Sequence, residues 1–258
     1  MCLMLIAYNY HPDYQLILVS NRDEFYNRPT EPLALRNQQE MLCGLDLEGS
    51  GTWLAASRSG RIAALTNVRE PERHSSNAPS RGLLVKDCVL SDQPLSDYLN
   101  TIMQQTDSYN GFNLIAADSS GVYYCSNRTE VVQKLSTGLY GLSNHQLDTG
   151  WPKIRSAKIM FRNVLDSADK LDCEALFSIL RNNECPPKHL LPDTGVGPYW
   201  ERILAPIFIH SEIYGTRTSS LVLLTRDGRL RFIERTHGSS GSSDVPDTRE
   251  FAFDAQYT

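Results

Sequence analysis

The sequence predicts an α+β fold built largely from antiparallel sheet. Three observations carry this: strand signals come in pairs around turn residues, several strands are apolar at consecutive positions, and helical patterns sit between the pairs. The first pair is residues 3–9 and 14–20, joined by Tyr10-His11-Pro12-Asp13. Residues 52–57 and 61–67 flank Arg58-Ser59-Gly60, and residues 112–117 and 122–126 flank Asp118-Ser119-Ser120-Gly121. Residues 219–225 and 230–235 flank Arg226-Asp227-Gly228. Glycine, or proline with aspartate, supplies the backbone freedom that tight turns need.

Segments such as Leu-Ile-Leu-Val-Ser at 16–20 carry apolar side chains on both faces of a strand, so both faces should be covered. Helical patterns over residues 80–90, 95–105, 151–165 and 173–182 supply the covers. Phe251-Ala252-Phe253 reads as a last strand, and residues 237–248 (HGSSGSSDVPDT) as a flexible surface loop. No linker divides the chain, so residues 1–258 are expected to form a single domain.

At 41% hydrophobic and 21% charged, the chain is too apolar for a disordered one. No apolar run reaches the roughly 20 residues of a membrane span. A net charge of -5 argues against a nucleic-acid partner. The six cysteines are dispersed without a C-x-x-C pair, which excludes a zinc ribbon or a dense disulfide framework. The first ten residues lack a basic segment and are too short in apolar run for a signal peptide, so a cytoplasmic protein is expected. The histidines form no H-x-x-x-H pair, and no metal or other cofactor is expected. The glycine-rich stretch at 44–51 lacks the lysine of a phosphate loop and reads as a loop into a strand. Nothing in the sequence speaks to oligomeric state.

The sharpest chemical signal is Cys2 with Asn21-Arg22-Asp23-Glu24. A hairpin turning near residue 12 sets Cys2 opposite Asn21 or Arg22. A neighbouring arginine favours the thiolate, and an aspartate can orient an amine or the nucleophile. Loss of Met1 would add an α-amine suited to general-base work near neutral pH. Hairpin geometry alone also accommodates a small buried cysteine beside a solvated strand end. Asn67 and Asn144 end apolar strands, where they serve either as amide donors or simply as turn residues. Arg217 enters an apolar strand and is read as binding an anion or as a surface ion pair. Glu24 is read as support.

M-C-L-M-L-I-A at 1–7 followed by S-N-R-D-E-F-Y-N-R-P at 20–29 resembles the NRDE family, which includes the transport and Golgi organization 2 proteins. G-T-W-L-A at 51–55, T-N-V-R at 66–69, S-R-G at 80–82, Y-G-L-S-N at 140–144, W-P-K at 151–153 and R-T-S-S at 217–220 extend the resemblance along most of the chain. It implies kinship with N-terminal nucleophile hydrolases, especially the cysteine branch of penicillin V acylases and bile salt hydrolases, and hence a four-layer αββα sandwich. It also implies Cys2 as nucleophile, Arg22 and Asp23 beside it, Asn67 and Asn144 as oxyanion donors and Arg217 as an electrostatic partner. The order here is N-R-D, where the acylases usually show R-N-x-D.

The function this implies is hydrolysis of linear amide C–N bonds in a small molecule through a thioester. The rival the family suggests is a non-enzymatic haem or lipid carrier, for which Cys185-Pro186 is the one cue to a thiolate haem ligand.

Overall fold

The computed structural model describes residues 2–38, 40–129, 132–167, 170–238 and 246–256. Sheet one contains β1 (Cys2–Tyr8), β2 (Tyr14–Phe25), β10 (Gly138–Leu142), β11 (Tyr214–Thr225), β12 (Arg229–Thr236) and β13 (Asp247–Asp254), in the order β10-β1-β2-β11-β12-β13. Sheet two contains β3 (Thr30–Arg36), β4 (Met41–Asp46), β5 (Leu54–Ser57), β6 (Ile62–Asn67), β7 (Phe112–Asp118), β8 (Gly121–Ser126) and β9 (Val132–Lys134), in sequence order. The pairings within both sheets are antiparallel. The four sequence-predicted hairpins are β1–β2, β5–β6, β7–β8 and β11–β12.

Three apolar clusters define the layers. Between the sheets, Met4, Ile6, Leu16 and Leu18 meet Leu42, Leu54, Ile62 and Ile115. On the outer face of sheet one, Leu3, Leu5, Ile17 and Val19 pack on α3 (Pro152–Ser167) and α4 (Cys173–Leu180) through Ile154, Phe161, Leu176 and Phe177. On the outer face of sheet two, Ala63, Leu65 and Leu114 pack on α1 (Gly82–Leu90) and α2 (Leu95–Met103) through Leu84, Val85 and Leu99. A fifth helix, α5 (Pro198–Ile203), precedes β11. The result is a helix–sheet–sheet–helix sandwich, the layer order that the family resemblance implied. Strand alternation explains the run of apolar residues in β1: Leu3 and Leu5 face the helices while Met4 and Ile6 face the other sheet. Each such buried side chain contributes about 1.5–3 kcal/mol of transfer free energy.

The structure adds strands that the paired signals missed. β3 contains Pro32, and its pairing with β4 is interrupted between Glu31 and Ala34; as an edge strand it tolerates a residue without an N–H. The stretch expected as a loop from residue 44 begins inside β4. Gly44 stands there because a Cβ would lie 2.5 Å from the Trp53 ring. Of the expected loop at 237–248, residues 239–245 lie outside the described residues. At its ends, His237 Nε2 lies 2.9 Å from Ser219 Oγ, and β13 already begins at Asp247.

Candidate active site

The site forms where the first hairpin ends between the two sheets. Cys2 pairs directly with Arg22 across β1 and β2. Opposed residues share a face, so both side chains point between the sheets, in line with Met4 and Ile6. The Arg22 guanidinium stacks over Trp53, 4.3 Å from the ring centroid. It donates to Asp46 Oδ2 at 3.2 Å and to Thr30 Oγ1 at 3.3 Å. Arg28 secures the same carboxylate through a 2.7 Å bond. Burial pulls Asp46 upward, but the Arg28 bond and the charges of Arg28 and Arg22 outweigh it and hold this carboxyl below its usual range.

Burial pushes the Cys2 thiol above the ordinary cysteine value. The amino-terminal charge, the Arg22 guanidinium and the Asp23 N–H pull it back, while the Asp23 carboxylate adds to the rise. The arginine acts in the direction expected from the sequence, yet desolvation outweighs it, so the resting form is the thiol. Ser143 Oγ donates to the Cys2 carbonyl at 3.0 Å and fixes the strand start.

Alternation turns Asp23 to the opposite face, toward the α3 layer, where it is 1% exposed. Thr216 Oγ1 donates to Asp23 Oδ1 at 2.7 Å, and the Tyr214 hydroxyl donates to its carbonyl at 2.9 Å. Burial raises the Asp23 carboxyl, opposed by the amino-terminal charge, by Lys153 and by the Thr216 bond. Asn21 is structural: its amide holds the Leu180 and Ile207 carbonyls and accepts from Ser219.

Asn67 and Asn144 come together because β10 pairs with β1 and delivers residue 144 to the end of β6. Asn144 Nδ2 donates to the Asn67 carbonyl at 2.8 Å, and Asn144 is fully buried. Among the described residues the Asn67 side-chain amide has no hydrogen-bond partner, and it lines the same cleft as Cys2. Arg217 does not reach that cleft. The β2–β11 register slips between Thr216 and Thr218, leaving Arg217 as the bulged residue, and its guanidinium donates to the Phe25 and Arg28 carbonyls at 2.9 and 3.1 Å. The bulge has no signature in this sequence: the strand pattern left Arg217 as an anion binder or a surface ion pair, and the family resemblance set it with the others.

The cleft encloses about 510 Å³ and is lined by Cys2, Arg22, Asp23, Trp53, Asn67 and Arg81, together with residues 74–76 and 78–80. A second, more apolar hollow of about 660 Å³ adjoins it through Asn67 and Arg81, walled by Phe25, Val196, Trp200, Leu204 and Tyr214. Sequence reasoning missed a buried charge cluster behind the cleft. Arg69 pairs with Glu201 at 2.8 Å and lies over Trp151, and Lys153 Nζ donates to the Leu204 carbonyl at 3.0 Å. Arg69 and Lys153 lie in T-N-V-R and W-P-K, two of the blocks that carry the family resemblance, but polar neighbours such as Glu70, Glu72 and Arg155 give no sign in the sequence that they are buried. Among the described residues no group of His, Cys, Asp and Glu is placed to hold a metal, and no helix is long and apolar enough to cross a membrane. All six cysteines are free thiols.

Fold and cleft together define a class: an αββα sandwich with a cysteine at the start of a central strand, opening onto a polar cleft. Within it, the chain belongs to the Transport and Golgi organisation 2 family, whose match spans residues 1–239. It is 37% identical to the Bos taurus Transport and Golgi organization protein 2 homolog over 279 residues, covering 97% of this chain and 99% of the relative. The Homo sapiens homolog is 35% identical over 280 residues, covering 99% and 100%. Among solved structures, a mutant conjugated bile acid hydrolase from Clostridium perfringens aligns with a TM-score of 0.46 at 9% identity, covering 99% of this chain and 98% of that one. A likeness of that depth carries no argument about chemistry.

Proposed function

We propose that this protein is a cysteine N-terminal nucleophile hydrolase of linear amide bonds in small molecules. The observation that carries the reading is the Cys2 thiol at the cleft with Arg22 across the strand pair and, on the same wall, the Asn67 amide, which has no hydrogen-bond partner among the described residues. In this reading Met1 is removed and the freed α-amine of Cys2 takes the thiol proton. The sulfur then attacks the amide carbonyl carbon. The oxyanion is received by the Asn67 amide and by the remaining N–H of Asn144. The C–N bond breaks as the α-amine returns the proton to the leaving nitrogen, and a thioester remains. Water, deprotonated by the same amine, hydrolyses the thioester and restores the thiol. Asp23 orients the amine, and Arg22 favours the thiolate. Arg217 acts one step removed, by holding the Phe25–Arg28 backbone under Arg22. The raised thiol value accords with this scheme, since a buried thiol needs a base.

The test is amine release from a panel of N-acyl amides by wild type and Cys2→Ser, with intact mass reporting Met1. Cys2-dependent release supports the reading. Release that survives Cys2→Ser, or none across the panel, removes it.

The second reading, a carrier of haem or a lipid, is favoured by the apolar hollow beside the cleft. Cys185 does not serve it. Its thiol is exposed, faces the Pro186 and Arg202 carbonyls and lines neither large cavity; the hollow that Pro186 lines holds only about 10 Å³. Cys185→Ala is expected to leave a spectroscopic haem titration unchanged. Weaker binding in the variant would restore the cysteine as a ligand.

A further inference from the structure

The cleft and the apolar hollow beside it have Glu24, Asn67, His74 and Arg81 in common. Arg81 is the arginine at that junction, and printed contacts fix it from two sides. On one side its backbone runs against β5: the Thr52 N–H donates to the Gly82 carbonyl at 3.2 Å, and a Cβ on Gly82 would lie 2.9 Å from the same nitrogen. Trp53, the residue after Thr52, carries the Arg22 guanidinium on its ring. On the other side Arg81 Nη1 donates to the Gly111 carbonyl at 2.9 Å. That oxygen also accepts the Val68 N–H at 2.9 Å, so the guanidinium lies beside the chain just after Asn67.

Three other inward-lying arginines meet carboxylates. Arg22 pairs with Asp46 at 3.2 Å, Arg69 with Glu201 at 2.8 Å and Arg61 with Asp118 at 3.4 Å. Arg81 is half-buried, yet among the described residues it forms no ion pair, and the neutral Gly111 carbonyl is its one side-chain acceptor. The acids around it are committed elsewhere. Glu24, Asp46 and Glu48 pair with Arg28, Glu70 pairs with Arg128, and Asp23 accepts from Thr216 on the α3 side. A guanidinium offers five N–H donors, and withdrawing it from water is costly without an anion. The cleft and hollow that Arg81 borders have the room to admit one.

We propose that Arg81 is the specificity residue of this cleft, taking the α-carboxylate of an N-acylated amino acid whose apolar side chain fills the adjoining hollow. The proposal rests on the nucleophile reading and names its substrate class. Spacing selects that class. Asn67 is the oxyanion donor of the proposed mechanism, and the Gly111 carbonyl ties Arg81 close to it, so a bound anion sits a few bonds from the reacting carbonyl. In an N-acylated amino acid one carbon separates the amide nitrogen from the carboxylate. The same carbon carries the side chain, and Phe25, Val196, Trp200 and Leu204 wall the hollow that Arg81 borders.

In turnover the acyl carbon bonds to the Cys2 sulfur and the C–N bond breaks. The free amino acid leaves with the proton taken from the thiol, and water then releases the acid from the thioester. Arg81 holds the carboxylate in the bound substrate and in the transition state alike, so its contribution falls on KM more than on kcat. A charge-assisted guanidinium–carboxylate contact is worth about 10- to 100-fold in affinity.

The experiment measures amine release from N-acetylphenylalanine and from N-acetylphenethylamine, the same body without the carboxylate. In wild type, kcat/KM is expected to favour the acid by about 10- to 100-fold, mostly through KM. N-acetylglycine keeps the carboxylate and lacks the side chain, and is expected to fall about tenfold below N-acetylphenylalanine. In Arg81→Gln the preference for the acid over the phenethylamide should fall toward one. In Arg81→Lys, which keeps the charge without the planar fork, it should be intermediate. A wild-type preference near one, or a preference retained in Arg81→Gln, overturns the proposal; N-acetylglycine cleaved as well as N-acetylphenylalanine overturns the side-chain assignment. Should Arg81→Gln fail to fold, an undiminished preference in Arg81→Lys overturns it. Cys2-dependent release without preference for the acid loses only the Arg81 role. If no amide is cleaved, the hydrolase reading falls, and calorimetric binding of intact N-acetylphenylalanine decides. Binding by wild type that weakens about tenfold or more in Arg81→Gln keeps the anion site, and absent or equal binding removes it.

Discussion

Glu234 should make the stability of this protein fall as pH rises toward neutrality. The side chain is 1% exposed and lies between the sheets, on the same face of β12 as Phe232. It has no ion pair among the described residues. Its Oε1 accepts the Leu33 N–H at 2.7 Å, which ties β3 of one sheet to β12 of the other. Burial pushes its carboxyl from 4.5 to about 7, against the pull of the Leu33 bond and of Arg22. A folded-state value above the unfolded one means that the native protein holds the proton more tightly. The stabilisation is then fully present below about pH 4.5 and is lost as pH rises through about 7. The shift corresponds to at most about 3 kcal/mol. Glu234→Gln keeps an oxygen for the Leu33 N–H and removes the titration. Urea unfolding of both proteins at matched ionic strength should give nearly equal stabilities at the acid end. By about pH 8 the variant should be ahead by about 2–3 kcal/mol. A difference that is flat across this window would refute the reasoning.

Three further outcomes follow from the site. Gly51→Ala would place a Cβ 2.4 Å from the Gly82 carbonyl carbon, forcing α1 away from the cleft wall; a loss of about 1–3 kcal/mol in urea unfolding is expected, and unchanged stability would contradict the close approach. Asn144→Ala should lower kcat by about 10²- to 10³-fold with little change in KM, because an oxyanion donor acts mainly in the transition state; a raised KM at constant kcat would count against that role. Arg22→Gln should slow Cys2 alkylation while Asp23→Asn should not, and its stability cost should stay at about 1–2 kcal/mol because Arg28 still holds Asp46; equal labelling rates in all three proteins would remove the electrostatic account.

Much of the layered fold was legible because the chain marks its hairpins with glycine or Pro-Asp turns and fills both faces of its strands with apolar residues. Gly60 and Gly228 adopt the positive φ values, 79° and 89°, that those turns require. Simple counting around residue 12 narrowed the partner of Cys2 to Asn21 or Arg22, and the unbulged β1–β2 register selects Arg22. Elsewhere the sequence was silent for physical reasons. Arg217 sits on a bulge, which shifts register without changing residue types. β10 pairs with β1 rather than with a neighbour in the chain, so no turn announces it, and β3 carries Pro32 and an interrupted register with β4 that blur its alternation. The Arg69–Glu201 pair joins residues far apart in sequence, and only tertiary packing turns these charges inward. The net effect on the thiol was hidden too, because desolvation depends on the layers above and below it rather than on its neighbours in the strand.

The central claim is that Cys2 carries an acyl group during turnover. The most direct test is intact-mass and peptide-mapping measurement of protein quenched during reaction with an activated acyl ester, alongside Cys2→Ala. The account predicts a chain that lacks Met1 and carries one hydroxylamine-labile acyl group on the Cys2 peptide, absent from the variant. An acyl group found only on the exposed Cys185, or acylation equal in wild type and Cys2→Ala, would contradict it.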